Sequence, residues 1–88
     1  MVTLSIPDVS DDIENTQKSI KFYRERRGWS RAELGSRVGV TAVMISKLET
    51  GGSHGSVALL YRISKVLGMG VDALMRGIPE EDTPWVLM

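Results

Sequence analysis

The stretch SRAELGSRVGVTAVMISKLETG, residues 30–51, decides how this chain of 88 residues folds, because it holds two short helical patterns separated by a tight turn. Ser30 begins the first pattern and Glu33 follows three residues later, which is the spacing of a capping box. Gly39 ends that helix, and Thr41 can cap the next one. The sequence therefore predicts two capped helices joined by a turn of three residues.

The turn between these helices favours a steep crossing. Gly39 can adopt a positive φ, which allows the second helix, from Ala42 to about Glu49, to leave the first at a large angle. Gly35 lies where the two helices approach each other, and a small residue suits that contact although glycine costs about 1 kcal/mol relative to alanine in a helix. These features are typical of a helix-turn-helix, a DNA-binding unit.

Three further helical patterns surround this pair, so the chain is predicted to be all-α with five helices. Asp11, followed by Glu14, is the expected N-cap of the first helix. The predicted spans are Asp11 to Arg27, Ser56 to Leu67 and Val71 to Arg76.

Three segments of the chain follow from this pattern. A helix-turn-helix domain is expected over residues 11–77, between an extension at residues 1–10 and a tail at residues 78–88. Val2–Ile6 alternates with period two, and residues 84–88 are also β-prone. Short terminal strands that pair within one chain or across a dimer are therefore expected.

Charge is unevenly distributed along the chain. Eleven Lys and Arg balance eleven Asp and Glu, and zero net charge taken alone argues against a nucleic-acid partner. However, all eleven bases lie within residues 15–79 with only four acids, whereas residues 1–14 and 80–88 hold seven acids and no base. The middle therefore carries a net charge of +7, which suits DNA, and acidic ends that lie away from the duplex would reduce non-specific affinity.

Composition excludes several classes of protein. The chain has no cysteine, which excludes disulfides, a Cys-based zinc site and a thiol nucleophile. No apolar run approaches the roughly 20 residues of a membrane span, and the N-terminus lacks the basic region of a signal peptide. His54 is the single histidine and has no catalytic or metal-binding partner near it in sequence. We expect a cytoplasmic protein that is not an enzyme, with no cofactor and no metal.

Residues 20–76 resemble the Cro/repressor-type helix-turn-helix family, also called XRE-like. The resemblance rests on motifs in the family's order and spacing: Ile20-x-x-Tyr23-Arg24, Gly28-Trp29-Ser30, Glu33-Leu34, Val38-Gly39-Val40-Thr41, Ile45-Ser46-x-Leu48-Glu49-x-Gly51 and Leu67-Gly68-x-x-Val71-Asp72-x-Leu74. It implies a compact, lambda-repressor-like bundle whose third helix enters the major groove while the second crosses the DNA backbone. It also implies a structural ion pair between Arg24 and Glu49.

The resemblance further implies that the third helix contacts bases through Ala42, Val43, Met44 and Lys47. Ala42 and Val43 offer only methyl groups, which can contact thymine methyls, and Lys47 can reach guanine or a phosphate. Specificity would therefore depend on Lys47, thymine contacts and DNA shape. The alternative is that Ala42, Val43 and Met44 are presented to a protein.

Phosphate contacts are implied around the same helix. Arg31 stands where the family commonly has glutamine, and its guanidinium fork is a stronger phosphate ligand. The further expected phosphate contacts are Arg27, Thr41, Ser46, Ser53, His54 and Ser56. For two of these, Arg27 and His54, the alternative is no role in DNA binding.

Family members of this size bind DNA as symmetric dimers. The tail is too apolar for a free end, so dimerisation is assigned to Ile78, Trp85, Val86, Leu87 and Met88. Trp85–Met88 would pack on a partner subunit or pair with Val2–Ile6; the alternative is that both ends fold onto their own domain.

Taken together, these features predict a sequence-specific DNA-binding transcriptional regulator. The expected form is a homodimeric repressor that reads a palindromic operator in double-stranded DNA. The alternative is an antitoxin or adaptor that uses the same fold to bind a protein partner, such as a toxin or another regulator.

Overall fold

The computed structural model describes residues 10–78, and these residues form five α-helices. The helices are α1 (Ser10–Arg26), α2 (Arg31–Val38), α3 (Ala42–Thr50), α4 (Val57–Leu67) and α5 (Val71–Arg76). The predicted all-α bundle of five helices is confirmed. The predicted terminal strands and the residues Trp85–Met88 lie outside the described residues.

The ends of α1 differ from the prediction by one residue each. α1 includes Ser10, so Asp11 is a helical residue and its prediction as the N-cap is wrong. The helix also starts within the predicted extension. At the other end, α1 stops at Arg26 because Arg27 N donates to Arg24 O at 3.1 Å, which tightens the last turn.

The caps of α2 and α3 are those that the sequence predicts. Ser30 Oγ accepts a hydrogen bond from Glu33 N at 3.0 Å, and Thr41 Oγ1 accepts one from Met44 N at 3.1 Å. The Glu33 carboxylate does not complete a capping box, because its Oε2 accepts from Arg37 Nε at 2.7 Å one turn along the helix. Each cap therefore satisfies one amide group in the first turn of its helix.

All five helices share one apolar core. α1 packs against α3, α4 and α5, while α2 packs against α3 and α4. Since α3 contributes only two fully buried apolar side chains, much of its surface remains available to a partner. The buried apolar residues are Ile20, Leu34, Val38, Ile45, Leu48, Leu59, Ile63, Leu67 and Leu74.

A close backbone contact holds α2 against the turn that leads to α3. Gly39 has a φ of 96°, and the amides of Gly39 and Val40 both donate to Gly35 O, at 2.7 and 2.8 Å. A Cβ atom at position 35 would lie 2.6 Å from Val40 O and 3.1 Å from the carbonyl of Thr41. The predicted need for a small residue at this position is confirmed.

Replacement of Gly35 by alanine should lower the free energy of unfolding by about 1–2 kcal/mol. Overpacking costs about 1–3 kcal/mol, and a contact of 2.6 Å with a backbone oxygen places this change in the upper part of that range. The better helix propensity of alanine returns about 1 kcal/mol. Urea denaturation checks the value. Gly52→Ala is the control, because a Cβ there would lie 3.4 Å from the flexible Lys47 side chain. Equal stabilities of the two variants would contradict the packing argument.

Candidate nucleic-acid interface

Helix α3 has one face in the core and another in solvent. Ile45 and Leu48 are buried, whereas Val43 is 63% exposed and Lys47 lies exposed one turn further along. Within residues 10–78, no acidic side chain forms an ion pair with Lys47. Val43 and Lys47 are therefore both accessible to a partner surface.

The other two residues predicted to contact bases are less accessible. Ala42 is half-buried, and Met44 is half-buried and packs against the core. Because core packing restricts Met44, Val43 and Lys47 form the more open part of the predicted set. That all four residues read bases stays a prediction.

The carboxylate of Glu49, near the end of α3, is buried and pairs with an arginine of α1. Arg24 Nε donates to Glu49 Oε2 at 2.6 Å and Arg24 Nη2 donates to Glu49 Oε1 at 3.0 Å, which is a bidentate pair between α1 and α3. Arg24 Nη1 donates to Trp29 O at 2.8 Å. The Glu49 side chain is 0% exposed. The structural ion pair implied by the family resemblance is thus present in the structure.

Arg24 keeps its charge in this setting. Its hydrogen bonds to the Glu49 side chain raise the pKa of Arg24 above its ordinary value, and the charge of the same carboxylate acts in the same direction. Burial opposes the shift, and a weaker contribution comes from Glu25, whose Oε2 lies 3.8 Å from Arg24 Nη2. Arg24 is therefore a charged guanidinium held in the interior of the fold.

Arg31 also contacts this carboxylate, which sequence reasoning missed. Arg31 Nε donates to Glu49 Oε1 at 3.0 Å, across 18 positions in the sequence. The Arg31 side chain remains 39% exposed. Spacing along one helix could not reveal this contact, because it depends on how the start of α2 meets the end of α3. Glu49, expected only as the partner of Arg24, thus also contacts a predicted phosphate ligand.

The loop between α3 and α4 uses its hydroxyl groups locally. Ser56 Oγ caps α4 by accepting from Leu59 N at 3.0 Å, and Ser53 Oγ accepts from Gly55 N at 3.2 Å. Both hydroxyls can still donate their hydrogen to an anion. His54 is exposed and, with Ser53, lines an apolar cavity of about 150 Å³.

Thr41 and Ser46 flank the accessible face of α3. Thr41 is exposed while its hydroxyl oxygen caps α3, and Ser46 is half-buried. Phosphate binding by these residues and by the loop residues stays a prediction.

Arg27 is exposed, but its guanidinium also donates hydrogen bonds to two backbone carbonyl groups of the fold. It donates from Nη2 to Leu67 O at the end of α4 and from Nη1 to Tyr23 O at 3.3 Å. Trp29 is half-buried, and the guanidinium groups of Arg37 and Arg27 lie 4.2 and 5.8 Å from its ring centre. These contacts favour a structural role for Arg27 over the predicted phosphate contact.

Clustered metal ligands and membrane-spanning helices are both absent from the described part of the chain. Residues 10–78 contain no group of three or more His, Cys, Asp or Glu side chains that could hold a metal ion. None of the helices in this range is long and apolar enough to cross a membrane.

The arrangement of α2, turn and α3 is that of a helix-turn-helix. A family model described as Helix-turn-helix matches residues 20–74, more than half of the chain. The chain belongs to the helix-turn-helix family, and the resemblance to its Cro/repressor-type, XRE-like members is confirmed. A search of curated proteins gives no match.

Two similar solved structures are regulators bound to DNA. The P22 c2 repressor, solved with synthetic operator 9T in the presence of Tl+, is 30% identical; the match covers 72% of this chain and 96% of that one, with a TM-score of 0.67. SinR, the master regulator for biofilm formation, was solved in complex with DNA. It is 31% identical over 68% of this chain and 97% of that one, with a TM-score of 0.63.

A third similar structure is an enzyme. Hydroxypropylphosphonic acid epoxidase from S. wedmorenis is 30% identical over 70% of this chain, with a TM-score of 0.64, but the match covers only 33% of the epoxidase. The similarity therefore concerns a minor part of that enzyme and carries no activity over to this chain.

Proposed function

We propose that this chain is a transcriptional repressor that binds double-stranded DNA as a homodimer, with α3 in the major groove. The observation that carries the proposal is the accessible face of α3, where Val43 and Lys47 are exposed, together with the partly exposed Arg31 of α2. The P22 c2 repressor and SinR, which match over about 70% of this chain, were both solved with DNA. The proposal also places the protein in the cytoplasm and gives it no enzymatic activity.

The base-reading surface proposed for α3 is poor in hydrogen-bonding groups. Val43 can contact thymine methyls, and Lys47 can donate to guanine or to a phosphate. Phosphate contacts come from Arg31, with further donors expected at Thr41, Ser46, Ser53, His54 and Ser56. Specificity then rests partly on the shape of the duplex.

Dimerisation is proposed from the apolar surface at the end of α5. Ile78, the last described residue, is 40% exposed, and Met75 is also exposed one turn before it. The apolar residues Trp85–Met88 follow a few positions later in the sequence. A symmetric pair of α3 helices would bind half-sites about one helical turn apart.

Selection of bound sequences from random duplex DNA tests this proposal. The expected product is a palindrome whose half-sites are centred about 10 base pairs apart, because each protomer of a symmetric dimer reads one half-site. Recovery of single half-sites would contradict the dimer, and recovery of no preferred sequence would contradict the operator.

A protein-binding module is the second candidate. It is favoured by the exposed side chain of Val43, which offers no hydrogen bond to a base edge. An antitoxin or adaptor would use this face to hold a toxin or another regulator. Failure of the wild-type chain to retain DNA at low salt would favour this second function.

A further inference from the structure

The Glu49 carboxylate lies between two guanidinium groups that belong to different helices. Oε2 accepts from Arg24 Nε at 2.6 Å, while Oε1 accepts from both Arg24 Nη2 and Arg31 Nε, each at 3.0 Å. The whole Glu49 side chain is 0% exposed. The Glu49 carboxylate of α3 thus holds one arginine side chain of α1 and one of α2.

The two arginines differ in the donors that remain free. All three nitrogens of Arg24 donate, to Glu49 and to Trp29 O. For Arg31 only Nε has a partner among residues 10–78, and its side chain is 39% exposed. The two η nitrogens of Arg31 are therefore available as a pair to a planar or tetrahedral oxyanion.

The charges of the cluster formed by Arg24, Arg31 and Glu49 also favour binding of an anion by Arg31. Two positive side chains surround one buried negative charge, so the buried cluster retains one positive charge. The other acid nearby, Glu25, lies 3.8 Å from Arg24 with 57% of its side chain exposed, and it forms no ion pair with Arg31. The remaining positive charge is therefore centred on the exposed part of Arg31.

We infer that Glu49 is a positioning residue for the phosphate contact of Arg31. By accepting from Nε, it selects one orientation of a long side chain and directs both η nitrogens outward as a bidentate donor. Free rotation of Arg31 would otherwise have to be lost on binding. The inference rests on the proposed function, since it assigns the partner of Arg31 to a DNA phosphate.

The first test is a double-mutant cycle on binding to the selected operator. Arg31→Lys keeps the charge but removes Nε and the fork, so Kd should rise on the order of tenfold while the salt dependence stays nearly unchanged. In a Glu49→Met background, which has no oxygen to accept from Nε, the same Arg31→Lys change should cost less than about twofold, because Arg31 is no longer held. The destabilisation caused by Glu49→Met is present in both of its arms, and circular dichroism establishes that both are folded before binding is measured. An undiminished tenfold loss in that background would overturn the inference.

The second test needs neither DNA nor a variant. Exchange of the Nε–H proton with water can be followed by NMR in the wild-type chain. The proton of Arg31 should exchange on the order of tenfold more slowly than that of Arg37, whose partner Glu33 is 45% exposed. Equal exchange rates would overturn the positioning role. Loss of DNA binding by the wild-type chain would overturn the proposed function, and the exchange rates would still report on the Glu49 contact.

Discussion

Replacement of Glu49 by alanine should lower the free energy of unfolding by about 3–5 kcal/mol. The substitution removes the only carboxylate that accepts from both Arg24 and Arg31 within the described residues, and it leaves the largely buried guanidinium of Arg24 without a counter-charge. A domain of this size has a total stability of roughly 5–15 kcal/mol, so the variant should unfold at a much lower urea concentration. Urea denaturation followed by circular dichroism measures the change.

Glu33→Ala is the matched control for this prediction. Glu33 pairs with Arg37 at 2.7 Å within α2, but both side chains are nearly half exposed, at 45% and 48%. Exposed pairs of this kind contribute about 1 kcal/mol or less, because water and salt screen them. If both alanine variants lost the same small amount, burial of the Glu49 pair would have no energetic consequence and the argument would fail.

Joint replacement of Arg31 and Lys47 by alanine should abolish most operator binding. Removal of one nucleic-acid contact typically costs about 1–3 kcal/mol, so two independent losses amount to about 2–6 kcal/mol, on the order of 30-fold to 10,000-fold in Kd. The slope of log K against log salt should also fall by about one to two units per binding chain, because fewer phosphates are neutralised. Fluorescence anisotropy at several salt concentrations measures both quantities.

The control for the double variant removes the same charges from another helix. Arg62 and Lys65 are exposed on α4, and Lys65 lies 5.2 Å from the ring centre of Tyr61. Their joint replacement by alanine changes the net charge by the same amount and should alter Kd only a few-fold through long-range electrostatics. Equal losses in the two double variants would show that net charge, and not the face of α3, governs DNA binding.

Local sequence signals were sufficient for most of the fold. Ser30 and Thr41 begin helices as predicted because a capping side chain reaches amides only two or three residues away. Gly39 ends α2 because a positive φ suits glycine. The exception is α1, where Asp11 was predicted as a cap and proved to be helical.

The candidate site was less fully predictable. The family motifs located Arg24, Glu49 and Lys47, but they gave no sign that Arg31 would share the Glu49 carboxylate. Nor did they indicate that Arg27 would donate to Leu67 O, 40 residues away. Both contacts join side chains from separate helices, and their existence depends on interhelical packing.

The sequence by itself determined the five helices, the caps of α2 and α3, and the position of the turn between α2 and α3. These properties depend on residues within one or two helical turns of each other, so their energetics are local. Tertiary structure alone decided three features of the site. It leaves the η nitrogens of Arg31 without a partner among the described residues, packs Met44 against the core and pairs Arg27 with Leu67 O. Those outcomes depend on side chains meeting across helix interfaces, where a shift of about 1 Å makes or breaks a hydrogen bond.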